Sequence, residues 1–183
     1  MSYVTIYAVQ ANGDVTYYGE ARNNHGFAPL VWRHLCKQYG LDVGVNIFDE
    51  EGQRAIDQLF AWRGTGHMAS EDDILVGATG DRVWIAREHV PLLAAACRSF
   101  YKRYVKPHSL VDTVNQAAAV MDELLERIPD ALGVAFNMCS AVDSFWSVPV
   151  EDGEDCRPYN ILTDESKGGE RYWQLKPEKG GWG

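Results

Sequence analysis

With 183 residues, 46% hydrophobic and 23% charged, the chain has the composition of one ordinary globular domain, large enough to bury about 70% of the surface its unfolded form exposes. It has no apolar run near the roughly 20 residues that cross a bilayer and no charged-then-apolar leader, so the expectation is a cytoplasmic protein without membrane contact. A net charge of −9 opposes direct nucleic-acid binding, which needs a broad basic surface to neutralise phosphates.

In chain order, Tyr3 to Val9 and Val15 to Tyr18 are β-branched and aromatic runs around Asn12-Gly13-Asp14. They predict a hairpin, because Asn and Gly tolerate the positive φ of a tight turn. Residues 27–39 place Phe27, Leu30, Val31, His34, Leu35 and Gln38 on one helical face, with Asn23 or Asn24 as cap, Pro29 in the first turn and Gly40 as stop. A short strand is expected over 45–48 and a helix over 53–62 with Ile56, Leu59, Phe60 and Arg63 at helical spacing, ended by Gly64-Thr65-Gly66-His67. Ile74 to Gly77 and Arg82 to Ala86 flank Thr79-Gly80-Asp81 and predict a second hairpin. Two long helices follow. The first spans about 91–104 with a stripe of Val90, Leu93, Cys97, Phe100 and Tyr104, and its basic last turn (Lys102, Arg103, Lys106) suits the helix C-terminal dipole. The second runs to about Ile128, with Ser109 as cap, Asp112 closing a capping box, and Leu110, Val114, Ala117, Met121, Leu124 and Ile128 as its stripe. A buried-type strand is expected at 132–136, with further strands near 145–148, 159–162 and 171–175.

Grouped rather than alternating elements predict an α+β fold: a largely antiparallel or mixed sheet built from hairpins, with two long helices packed on it. The organisation is one domain over 1–183, in which 1–70 can form a lobe and 176–183 a frayed tail.

Charge is unevenly placed. Residues 42–81 hold nine acids against two arginines, a balance of −7, whereas 89–111 hold no acid and carry Arg98, Lys102, Arg103 and Lys106. The candidate partner-binding residues are Asp49, Glu50, Glu51, Asp57, Trp62, Glu71, Asp72 and Asp73, read against the plainer alternative of solvated loop charges. A second candidate is a polar pocket of Asn137, Ser140, Trp146, Tyr159 and Asn160, read against a strand end passing into a loop. The four cysteines lack metal or redox spacing, and Cys36 and Cys97 read as buried thiols. Gly64 to His67 lacks the Gly-Lys-Ser/Thr ending of a phosphate loop, and His67 with Glu71, Asp72 and Asp73 fits no known metal spacing. No cofactor, metal or catalytic residue is expected.

The opening Met1-Ser2-Tyr3-Val4 with Ile6-Tyr7, Tyr18-Gly19-Glu20, Ala28 to Trp32, Ile74 to Ile85, Ser109-Leu110, Gly133 to Asn137 with Ser140 and Trp146, and Pro158-Tyr159-Asn160 with Trp173 resemble small accessory proteins encoded by bacterial viruses. The resemblance omits about 40–72 and the tail. It implies a phage or prophage setting and carries no activity with it. The leading expectation is therefore a non-enzymatic counter-defence protein that inhibits a basic host or defence-system protein through its acidic region. The alternatives are a nucleotide-signal binder or hydrolase using Asn137, Ser140, Tyr159 and Asn160, and a self-associating assembly component.

Overall fold

The computed structural model describes residues 2–23, 27–80, 83–104, 113–137, 146–150, 156–164 and 173–175. The described elements are β1 (Ser2–Val9), β2 (Val15–Asn23), α1 (Phe27–Gln38), α2 (Glu50–Ala61), α3 (Ser70–Ala78), β3 (Val83–Ala86), a 3-10 turn (Arg87–His89), α4 (Val90–Tyr104), α5 (Thr113–Arg127), β4 (Gly133–Asn137), β5 (Ser147–Pro149), β6 (Cys156–Pro158) and β7 (Trp173–Leu175). The main sheet has the order β2-β1-β4-β3-β7, antiparallel except for its β3–β7 edge, and β5 pairs with β6 in a separate small sheet. The fold is α+β, as the grouping of elements implies.

Strand alternation sends side chains to two cores. Val4, Ile6 and Ala8 of β1 join Ala21, Val83, Ile85, Val134 and Phe136 beneath the helices, which contribute Leu35, Leu75, Leu93, Phe100, Met121 and Leu124. On the opposite face Tyr7, Val9, Val15, Trp84, Ala86 and Ala135 meet Trp146 and Tyr159. Of the two long helices, α5 lies against β1 and β2 and along α4, while α3 sits beside α4 and β3. Arg87 fastens the end of α5 by donating from its guanidinium to the Leu125 and Ile128 carbonyls at 3.2 and 3.1 Å. These are the orphan acceptors that every helix C-terminus leaves.

The first hairpin turns at Asn12-Gly13, where Gly13 has φ 91° and donates to the Gln10 carbonyl at 2.8 Å. Pairing shifts between Ile6 opposite Gly19 and Tyr7 opposite Tyr17, leaving Tyr18 as the extra residue of a bulge.

The second predicted hairpin does not form. Residues 74–77 lie within α3, and Thr79 ends that helix, its N–H and hydroxyl both donating to the Val76 carbonyl. A short continuous apolar run suits a buried strand and a buried helix equally. Here every residue from Asp72 to Ala78 is buried, so the segment shows no helical periodicity, and Glu71, Asp72 and Asp73 occupy the first turn, where the helix dipole favours acids. The strand expected at 45–48 is also absent; those residues lie in the turns before α2. The strand expected at 159–162 is replaced by β6 just before it, with an isolated bridge and turn over 160–163. Asn24, Ser109, Asp112 and the tail over 176–183 lie outside the described residues. No helix among the described residues is long and apolar enough to cross a membrane.

Phe100 is fully buried in the main core. Phe100→Ala is expected to reduce the unfolding free energy by about 3–5 kcal/mol, measured by chemical denaturation.

Candidate functional site

Acidic density in this chain is first a property of helix N-termini. Asp49 caps α2 with its carboxylate accepting the Gly52 N–H at 2.9 Å, and Glu50 and Glu51 fill the first turn. Gly52 is required by close approach: a Cβ there would stand 2.3 Å from the Ile47 carbonyl oxygen. Glu71, Asp72 and Asp73 repeat the arrangement at α3, whose cap residue, Ala69, offers no side-chain acceptor. Both triplets complement the partial positive charge of unpaired helix N–H groups.

The two triplets then diverge. Asp42, Glu50, Glu51, Asp57 and Glu71 are exposed and Asp49 is half-buried, whereas Asp72 and Asp73 are buried. Among the described residues no salt bridge holds Asp42, Glu50, Glu51 or Asp57.

The Asp72 carboxylate accepts from Gln38 Nε2 at 2.9 Å, Tyr39 Oη at 2.7 Å and both terminal nitrogens of Arg103, the nearer at 2.5 Å. Tyr39 Oη in turn accepts the Ala69 N–H at 3.0 Å. Arg103 lies over the Tyr104 ring at 5.3 Å, and Tyr104 Oη donates to Gln38 Oε1. The hydrogen bond to Asp72 raises the Arg103 guanidinium above its ordinary value. Arg103 therefore serves an interior carboxylate as well as the end of α4. His34, expected on the apolar face of α1, stacks on Tyr104 at 4.7 Å, and burial with Arg33 and Lys37 nearby lowers its basicity.

Asp73 accepts the Gly64 N–H at 3.1 Å and faces Arg63 Nε at 3.6 Å. Burial pushes the Asp73 carboxyl above the usual range, opposed by the Gly64 N–H and Arg63, and burial lowers Arg63 below its ordinary value. Desolvation thus outweighs mutual attraction on both sides of this pair, as is common for charges taken out of water. Asp72 and Asp73 are consequently interior ties and not part of a solvated acidic surface, which corrects their assignment as partner-binding residues. Trp62 is half-buried at the end of α2, where its ring stacks on His67 at 5.4 Å and 7°.

Trp146, Tyr159 and Asn160 of the polar-pocket set are also drawn into the framework. Trp146 and Tyr159 do meet, at 5.9 Å, on the far face of the sheet. Trp146 Nε1 donates to the Phe136 carbonyl at 2.9 Å and Tyr159 Oη to the Asp164 carbonyl at 2.6 Å. Asn160 Nδ2 donates to the Asn12 carbonyl and to Asp14 Oδ1 at 2.9 and 2.8 Å, while its Oδ1 accepts the Leu162 and Thr163 N–H groups. Asn137 is buried at the end of β4, and Ser140 lies outside the described residues. Sequence reasoning missed Asp164, which binds Arg157 through two nitrogens at 2.6 and 2.8 Å and accepts the Asn160 N–H at 2.7 Å. It also missed Val45 and Phe48, which are exposed on the loop before α2. The side-chain acceptors at Asp42, Asn46 and Asp49 were the available sign of turns there.

Burial pushes the Cys36 thiol up to about 11 and the Cys97 thiol up to about 12, so both remain protonated core residues. Comparison of the chain with family models, with curated proteins and with solved structures finds no match.

Arg103→Ala leaves the Asp72 anion buried without its cation and is expected to cost about 3–5 kcal/mol in denaturant unfolding. The Asp73 carboxyl predicts a pH signature. Its folded pKa lies above its unfolded value, so the native state holds the extra proton between the two. The stability of the wild type relative to Asp73→Asn should therefore rise as pH falls from neutral through that window, and be flat below it. Paired denaturation curves at successive pH values measure this; a fall in relative stability on acidification would mean that Arg63 outweighs burial.

Proposed function

We propose that this chain is a non-enzymatic, phage-type accessory protein, acting in counter-defence by occupying a basic surface of a host protein with the acidic face around the start of α2. The observation that carries the reading is the split among the acids. Once Asp72 and Asp73 are accounted for by Arg103 and Arg63, the set Asp42, Glu50, Glu51, Asp57 and Glu71 is still exposed. Asp49 and the half-buried Trp62 lie at the two ends of the same helix. Helix capping explains why acids are favoured at Asp49, Glu50, Glu51 and Glu71, but not Asp42 in the preceding loop or Asp57 in the middle of α2. Carboxylates so placed steer a cationic partner and accelerate association at low salt. The resemblance to phage accessory proteins supplies the setting. The ligand-pocket alternative is weakened by the use of Trp146, Tyr159 and Asn160 polar atoms within the framework.

Changing Glu50, Glu51, Asp57 and Glu71 to Lys is expected to abolish capture of the partner from bacterial lysate. Stability should fall only by about 0.3–1 kcal/mol for each of the three first-turn sites. Wild-type capture should weaken as salt shortens the screening length below the roughly 8 Å of physiological buffer. Undiminished capture and inhibitory activity in a folded four-site variant would reduce this face to solvated charge.

A further inference from the structure

We infer that Val45 and Phe48 are the apolar anchor of this acidic face, and that its partner is a basic amphipathic protein segment with an apolar stripe flanked by lysine or arginine. The inference rests on the acidic-surface reading and goes further by naming what the partner must present besides charge.

Val45 is as exposed as in an open chain, at 102%, and Phe48 is 61% exposed. Scattered apolar side chains on a surface are ordinary. Two features in combination mark this pair. First, the loop that carries it is held in place. Ile47, between them, is buried at 1% exposure, Asp42 Oδ1 accepts the Gly44 N–H at 2.9 Å, and Asn46 Oδ1 accepts the Phe48 N–H at 3.1 Å. The Asp49 N–H closes the next turn on the Asn46 carbonyl at 3.0 Å. Among the described residues the other exposed aromatic, Tyr17, already has a ring partner, meeting Tyr7 edge-on at 6.4 Å. A loop ordered before binding loses little freedom on docking, so its apolar side chains act as preformed anchors.

Second, the pair is bracketed by charge of one sign, with Asp42 before it and Asp49, Glu50 and Glu51 after it. That bracket selects the occupant. A two-fold contact with a second copy of the chain would bring the same acids against themselves, and an anionic lipid surface or nucleic acid would be repelled. A basic protein segment satisfies the acids, and an apolar stripe within it receives Val45 and Phe48.

The test uses the full chain and two synthetic peptides of equal length and charge: a leucine–lysine amphipathic helix and a serine–lysine control. Titration at low and physiological salt is expected to show the leucine–lysine peptide binding at least tenfold more tightly. In Val45→Ser/Phe48→Ser that preference should vanish while binding of the serine–lysine peptide is unchanged, and Phe48→Leu should retain it. Val45→Ser alone, at a fully exposed site, is expected to reduce the preference and tests the inference if the double variant unfolds. Glu50→Lys/Glu51→Lys should weaken both peptides and flatten the salt dependence. Equal binding of the two peptides to the wild type, or a preference that survives both Val45→Ser and the double variant, overturns the inference while leaving the acidic reading intact. Unchanged binding of both peptides to the charge variant overturns both.

Discussion

A buried carboxylate fixes how the helical layer is assembled. Asp72 sits at the first turn of α3, receives Gln38 and Tyr39 from the end of α1, and receives Arg103 from the end of α4. Through Tyr39 it also reaches the Ala69 backbone just before its own helix. Apolar burial among three helices is non-directional, but a buried anion requires each of its donors in place. Such a pair adds little net energy over an apolar replacement of equal volume. Its contribution is position, because any packing that parts Arg103 from Asp72 strands a charge in the core.

The opposite face of the sheet obeys a parallel constraint. Tyr7, Trp84, Trp146 and Tyr159 need cover that the helices cannot supply, and the segment around β5 and β6 provides it. That segment is fastened at the hairpin turn: the Val15 N–H donates to the Tyr159 carbonyl and the Ile161 N–H to the Gly13 carbonyl, at 2.8 and 2.9 Å. Gly13 is needed there twice over. Its φ of 91° makes the turn, and a Cβ would stand 2.7 Å from both Asn160 Oδ1 and Leu162 Cγ. The same residue joins the start of the chain to a segment nearly 150 residues later, which an Asn-Gly turn signal cannot reveal.

What the sequence made legible follows from the range of each signal. The first hairpin, α1, α4 and β4 are encoded by local turn chemistry, by periodicity or by a bounded apolar run, and all four lie where those signals put them. The α3 segment carries the opposite lesson. Its Ile74-Leu75-Val76 core is apolar all round because it is enclosed by α1, α4 and β3, and enclosure erases the amphipathic period by which a helix is recognised. Burial of Asp72 and Asp73 was hidden for a related reason. The donors of Asp72 lie on other elements, Arg103 some thirty residues downstream and Gln38 some thirty upstream, and those facing Asp73, Gly64 and Arg63, lie in the connection between α2 and α3, so local sequence presents both acids as part of an acidic run. On the polar-pocket side, Trp146 and Tyr159 were rightly expected together, yet their hydrogen-bonding groups point to backbone carbonyls that no side-chain pattern announces.

The division of the acids links this architecture to the proposed activity. Glu71, Asp72 and Asp73 are consecutive, and a helix turns by about 100° per residue, so a helix held by its second and third members must present the first elsewhere. Glu71 is accordingly exposed while its two neighbours are bound inside. At α2 the restraint is backbone packing, with Gly52 pressed on the Ile47 carbonyl and Asp49 committed to the cap, and Glu50 and Glu51 project from the intervening turn. Glu50, Glu51 and Glu71 are therefore carried on helix starts whose geometry is set by buried neighbours. A cationic partner would meet acids mounted on fixed backbone, which is what distinguishes a recognition surface from an equal number of charges on a loose chain.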